Sequence, residues 1–196
     1  MSASRIRDDE RLMDSSEQAC LERYRRGDRH ALEALVDLYR RPLYGFILRM
    51  LEGRGDADDI FQETWERAIR NLPQFRTGKF LSWLFRIAHN LVIDEIRRKS
   101  RRGETIGSGS EGDPAIEHVP DPSRGPDKIL AGKEIEETIR GLVAQLPREQ
   151  REVFLMRTEG DLSFRDIARI QNVPLNTALG RMHYAVLRLR SALQEG

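Results

Sequence analysis

LSFRDIARIQNVPLNTALGRMHYAVLRLRSAL, residues 162–193, is the stretch that decides the fold class. Ser163 and Asp166 have the spacing of a capping-box variant, in which a hydroxyl takes up a free N–H at the start of a helix. Asn172 to Pro174 is a turn, because Asn tolerates left-handed backbone and Pro cannot continue a helix. Beyond it Leu175, Leu179, Met182, Val186, Leu189 and Leu193 recur at spacings of three and four, which predicts a longer helix with this stripe facing inward. A short helix, a tight turn and a longer helix that starts with polar residues form a helix-turn-helix pattern. Ala168 stands where the two helices must approach closely, and Val173 and Ala178 can pack between them. A plain helical hairpin shares this spacing, so spacing alone leaves both open.

Upstream, Ile135, Ile139, Leu142, Val143 and Leu146 line a helix that Pro147 ends, and Val153, Phe154 and Leu155 mark a short second one. These elements predict a small helical domain over 129–196. Before it lies GETIGSGSEGDPAIEHVPDPSRGPDK, residues 103–128, rich in Gly, Ser, Pro and acids and without apolar periodicity, which is the composition of a flexible linker. Gly107, Gly109 and Gly112 fall in GxGxxG spacing there. With no strand before them and no helix directly after, they do not make a dinucleotide loop.

The first half is also helical. Leu32, Leu35, Val36, Tyr39, Leu43, Phe46, Ile47 and Met50 stripe one amphipathic helix, with a bend expected near Pro42 and an end at Gly53 and Gly55. A second helix turns Ile60, Trp65, Ala68, Ile69 and Leu72 inward and closes at Pro73. After a loop from Pro73 to Lys79, a third carries Leu81, Leu84, Ile87, Ala88, Leu91 and Ile96. Nothing alternates with period two, so no strands are expected. The fold class is therefore all-α, with an N-terminal tail at 1–16, a first domain at 17–102, the linker and the second domain. At 39% hydrophobic and 33% charged residues, the composition supports small helical units better than one thick core.

Several function classes fall away. No stretch approaches the roughly 20 apolar residues of a membrane span, and the first residues lack a signal-peptide core, so the expected compartment is the cytoplasm. Cys20 is the only cysteine, which forbids an internal disulfide and fits a reducing environment. His30, His89, His118 and His183 stand far apart without metal-ligand spacing, and no nucleophile triad or phosphate loop occurs. No enzyme activity, metal, cofactor or small-molecule substrate is expected. Lys and Arg number 33 against 32 Asp and Glu, so overall charge says nothing about nucleic acid. The distribution says more: Asp56, Asp58, Asp59, Glu63 and Glu66 gather acids, while Arg97, Arg98, Lys99, Arg101 and Arg102 gather bases. Two partners of opposite character would account for this, as would ordinary solvated helix faces.

Residues 75–98 carry the most chemistry: Phe75, Arg76, Thr77, Gly78, Lys79 and Phe80, then Trp83, Phe85, Arg86, Asn90, Asp94, Arg97 and Arg98. Aromatics interleaved with bases and amides suit a surface that stacks on unpaired bases and holds phosphates. Each stacked base recovers about 1–3 kcal/mol against the few kcal/mol that unpairing costs. Taken singly, Trp83 and Phe85 fit a helical core equally well.

The runs DADDIFQETWERAIRNLPQFR (56–76) and FLSWLFRIAHNLVIDEIRRKSRR (80–102) resemble region two of the bacterial extracytoplasmic-function (ECF) sigma factors. LPREQREVFLMRTEGDLSFRDIARIQNVPLNTALGRM (146–182) resembles region four of that family. The resemblance implies a transcription factor that binds core RNA polymerase and promoter DNA and promotes duplex melting. Asp56, Asp58, Asp59, Gln62 and Glu63 match the segment that docks on the clamp helices of the largest polymerase subunit. Phe75 to Phe80, including Arg76 and Lys79, match the loop that pockets a flipped minus-ten base, and Trp83, Arg86, Asn90, Arg97 and Arg98 match the strand-separating face. Asn176, Thr177, Gly180 and Arg181 match positions that enter the major groove at the minus-thirty-five element, Arg181 facing base or phosphate. Asn176, Leu179 and Tyr184 depart from the common pattern, where a glycine and two further bases stand.

By the same resemblance an anti-sigma protein is an expected partner, clamping the two domains together. Fully extended, the linker reaches about 85 Å, and two turns of duplex occupy about 70 Å, so the domains can touch separate elements. A free-standing DNA-binding regulator would explain the helix-turn-helix but not the acidic helix. A pure interaction protein would explain neither the turn-helix pattern nor the basic run.

Overall fold

The structure, a computed structural model, describes residues 17–51, 54–75, 78–103 and 137–195. The tail 1–16, Gly53, Arg76, Thr77, Ile135 and the expected linker beyond Gly103 lie outside the described residues. Every regular element among the described residues is helical, as expected: α1 (17–25), α2 (His30–Leu51), α3 (Arg54–Asn71), α4 (Phe80–Arg102), α5 (137–144), α6 (Arg148–Thr158), α7 (Phe164–Gln171) and α8 (Leu175–Glu195). A single 3-10 turn, Leu72–Gln74, follows α3.

Helices α2, α3 and α4 pack on one another as a bundle. Asp28 starts α2 by accepting the His30 N–H, and α2 stays helical through Pro42. Along it Ala31, Leu35, Tyr39, Leu43, Phe46, Ile47 and Met50 are buried at helical spacing, so apolar burial drives this element. Of the two glycines expected to end this helix, Gly55 belongs to α3 instead, while α2 is described as far as Leu51. Ile60, Trp65, Ala68 and Leu72 face the core, but Ile69 sits on the outer side, 36% exposed. Gly103 terminates α4 in left-handed backbone (φ 71°), its N–H closing on the Lys99 and Ser100 carbonyls.

In the second half the helix-turn-helix is present. Ser163 Oγ accepts the Asp166 N–H at 3.2 Å, which opens α7, and Asn172 (φ 55°) closes it in left-handed backbone. Ala168 and Ala178 are buried between α7 and its neighbours, with Val173 packed against them. The orientation of α8 differs from the sequence expectation. Leu175, Leu179, Val186 and Leu193 are each more than a third exposed, whereas Ala178 and Ala185 are fully buried, with Met182 and Leu189 beside them. Small residues mark the buried line because they let α8 lie close on α6 and α7.

The two halves also touch. Helix α4 packs on α7 and α2 on α6, and the buried apolar residues of both halves form one contiguous cluster.

Candidate nucleic-acid interface

Phe75, Phe80 and Trp83 form an aromatic group at the start of α4. The Phe75 and Trp83 rings lie 5.1 Å apart, Trp83 and Phe80 5.4 Å, and Phe75 and Phe80 5.6 Å. Phe80 also meets Tyr39 at 5.9 Å and Trp65 at 6.3 Å, and it is fully buried. It is the core support on which the other two rest, so the expectation that Phe80 faces a base is corrected. Phe85 is core as well, 5.3 Å from Phe46 and fully buried. Phe75 and Trp83 are half-buried.

The loop carrying Phe75 is held at both ends by α1. Arg25 donates to the Phe75 carbonyl at 2.8 Å, and buried Glu17 accepts the Phe80 N–H at 3.2 Å. Glu17 also accepts the Tyr39 hydroxyl. A carboxylate at the first free N–H groups of α4 both caps the helix and complements its dipole. No local pattern marks either residue; their partners lie 50 and 63 positions away.

Around the rings stand the cations. Lys79 and Arg86 are exposed; with Phe75 and Trp83 they line one wall of a crevice of about 550 Å³ whose opposite wall includes Asp166 and Arg169 of α7. Arg86 donates to the Arg169 carbonyl at 3.1 Å, so a cation of the first half caps the second. Asn90, Arg97 and Arg98 continue along α4, Arg97 loosely paired with Asp94 at 3.7 Å and Arg98 with Glu95 at 2.7 Å. Arg76 lies outside the described residues.

The acidic face of α3 is sorted by its neighbours. Asp56 pairs with Lys99 of α4, with the two side chains 33% and 17% exposed, so it braces α3 against α4. Asp58 accepts the Tyr44 hydroxyl at 2.8 Å. Gln62 donates to Glu66 at 2.9 Å and Glu63 pairs with Arg67 at 2.6 Å, all on the outer surface. Asp59 is exposed. Exposed pairs of this kind exchange readily for an incoming cation.

On α8, Asn176 and Thr177 are exposed in the first turn and Gly180 leaves open space above the helix. Arg181 is half-buried and donates to the Gln171 Oε1 at 2.9 Å, while Gln171 Nε2 donates to Glu152 at 2.6 Å and to the Glu149 carbonyl at 3.2 Å. Sequence reasoning missed Gln171; an amide at the end of an amphipathic helix gives no signal until its neighbours are known.

Residues 35–102 match the family described as Sigma-70 region 2, and residues 136–189 match Sigma-70, region 4. The ECF RNA polymerase sigma factor SigW of Bacillus subtilis is 32% identical over 178 residues, covering 89% of this chain and 95% of its own. The chain belongs to the ECF sigma factor family. The RNA polymerase sigma-H factor of Pseudomonas aeruginosa is 31% identical over 190 residues, covering 93% of this sigma factor and 96% of itself. A solved structure of the sigma factor RpoE in complex with the anti-sigma factor NepR, from Bartonella quintana, shares the fold with a TM-score of 0.65 at 23% identity, covering 83% of this chain and 96% of that one. This protein is an alternative sigma factor that directs promoter-specific initiation of transcription with RNA polymerase. In it the region-2 match takes in most of α2 with α3 and α4, and leaves α1 outside.

Proposed function

We propose that the two surfaces of the first domain divide the work of initiation. The half-buried Phe75–Trp83 ring pair, with Lys79 and Arg86 at its rim, takes up unpaired bases of the minus-ten element. Arg97 and Arg98, with Asn90, hold the adjoining backbone, Arg76 adds a cation to this loop, and Phe80 supports it from the core. Asp59, with Gln62 and Glu63, offers acceptors to basic groups of the polymerase clamp; Asp56 and Asp58 orient that face through Lys99 and Tyr44. In the second domain Asn176, Thr177, Gly180 and Arg181 lie along the start of α8 and enter the duplex at minus thirty-five.

The observation that carries this reading is the ring pair. Two half-buried aromatic side chains rest on a fully buried third, facing a crevice with cations beside it, which is the arrangement sequence-tolerant stacking on single strands needs. The protein itself performs no catalysis; bond formation belongs to the polymerase. No helix among the described residues is long and apolar enough to cross a membrane, in keeping with work in the cytoplasm. The solved relative bound to an anti-sigma factor supports a partner of that kind for this chain. The division into domains at 17–102 and 129–196, with a linker between, is part of the same proposal.

The test is transcription from reconstituted holoenzyme, with permanganate footprinting of the promoter. The wild-type protein should confer start-site selection and thymine reactivity around the start. Trp83→Ala should keep binding core polymerase but lose most of that reactivity; equal loss of core binding would overturn the assignment.

A further inference from the structure

The first domain carries a docking surface whose partner is the protein's own second domain, and we propose that this contact holds the free chain shut over its base-stacking face. The contact is built at residues whose small size or charge meets a partner in the other half. Gly160 is buried and has ordinary backbone, so nothing in its conformation calls for glycine. A Cβ there would stand 2.7 Å from Phe85 Cζ, a ring locked in the first domain's core, and a looser 3.1 Å from the Met156 carbonyl oxygen of its own domain. Gly45 lies buried in mid-α2, where glycine costs about 1 kcal/mol against alanine. Its missing side chain leaves room for the Glu159 carboxylate, which would be 2.8 Å from a Cβ.

Charge completes the fit. Arg49 of α2 pairs with Glu159, with the two side chains only 22% and 17% exposed. Burial, and then the Arg49 charge, lower the pKa of Arg140. On α4, His89 Nε2 lies 3.2 Å from Glu152 Oε2, with exposures of 11% and 6%. Arg86 donates to the Arg169 carbonyl. Charges buried this deeply are costly to leave without partners, so separating the domains has to return each one to water. Two glycine contacts, one half-buried ion pair and one buried imidazole–carboxylate contact thus converge on one face. No partner protein is needed to form it.

The consequence follows from where α7 lands. It forms the far wall of the crevice over Phe75, Trp83, Lys79 and Arg86, and it occupies Arg86 directly. A strand reaches those rings only after the domains part, so apparent affinity is reduced by the fraction of molecules that are open. The occlusion half of this proposal rests on the stacking role given above to Phe75 and Trp83; the closure half does not.

The experiment uses the full chain in a Cys20→Ser background, with dyes at Arg70→Cys and Arg188→Cys to follow domain separation by energy transfer. Binding of a labelled single-stranded oligonucleotide of mixed sequence is followed by anisotropy. Arg49→Glu and Gly160→Ala should each increase the separation and tighten oligonucleotide binding by roughly tenfold or more. Arg49→Glu removes a positive charge, so simple electrostatics predicts the opposite sign. The exchange Arg49→Glu with Glu159→Arg should restore both the wild-type separation and the weaker binding. Circular dichroism confirms that each variant is folded. Separated domains in the wild-type chain, or single variants that leave the distance unchanged, overturn the proposal. A larger separation without tighter binding overturns the occlusion half. If Trp83→Ala in the Arg49→Glu background then also leaves binding unchanged, the stacking assignment is what has failed.

Discussion

Phe80→Ala separates support from contact within the aromatic group. Phe80 is fully buried, with four aromatic rings within 6.3 Å, and every neighbour is anchored on a different element. Truncation removes the ring's transfer free energy and leaves a cavity that α2, α3 and α4 cannot close, so the loss should be about 3–5 kcal/mol. At about 2–4 °C per kcal/mol for a chain of this size, the midpoint should fall by roughly 6–20 °C. Urea and thermal unfolding followed by circular dichroism measure this, with the midpoint falling at unchanged denaturant slope. Trp83→Ala, by contrast, truncates a half-buried ring, so it should cost less stability than Phe80→Ala and more oligonucleotide affinity. A Phe80→Ala protein with wild-type stability and lost strand binding would refute the placement of Phe80 as support and return it to the contact surface.

Charge reversal of Asp59 and Glu63 to Lys should weaken binding to core polymerase about tenfold or more without shifting the unfolding midpoint by more than a degree or two, since both side chains lie on the outer surface. Surface plasmon resonance against immobilised core enzyme checks it. Arg181→Ala should reduce transcription from duplex promoters more than from pre-melted ones, because groove contacts matter while the duplex is being located; the ratio of the two template types is the readout. Ser163→Ala should cost about 1 kcal/mol of stability in the second domain by freeing the Asp166 N–H at the start of α7, measured by urea unfolding.

The helical order and the turn chemistry were legible because they are local. Ser163 and Asp166 sit three apart, Asn172 tolerates left-handed backbone, and period-3.6 burial in α2 needs no knowledge of partners. The inward face of α8 was not legible. Its apolar residues fall on two adjacent lines about 60° apart, and the larger side chains drew the choice, although close packing selected the line of Ala178 and Ala185. Phe80 and Trp83 are three positions apart on one helix, and only the rings contributed by α2 and α3 decide that one is covered and the other half-open. Arg49 carries no local sign of its role, because its partner is 110 residues away. No window of sequence joins them.

Helix α1 has a further consequence for protein engineering. Both struts of the 75–79 loop, Glu17 and Arg25, precede the Sigma-70 region 2 match, which begins at residue 35. A chimera that transplants only 35–102 into a related factor would carry the loop without its scaffolding, and its preference for promoter letters would drift toward that of the recipient. Swapping from residue 17 onward moves the frame together with the loop.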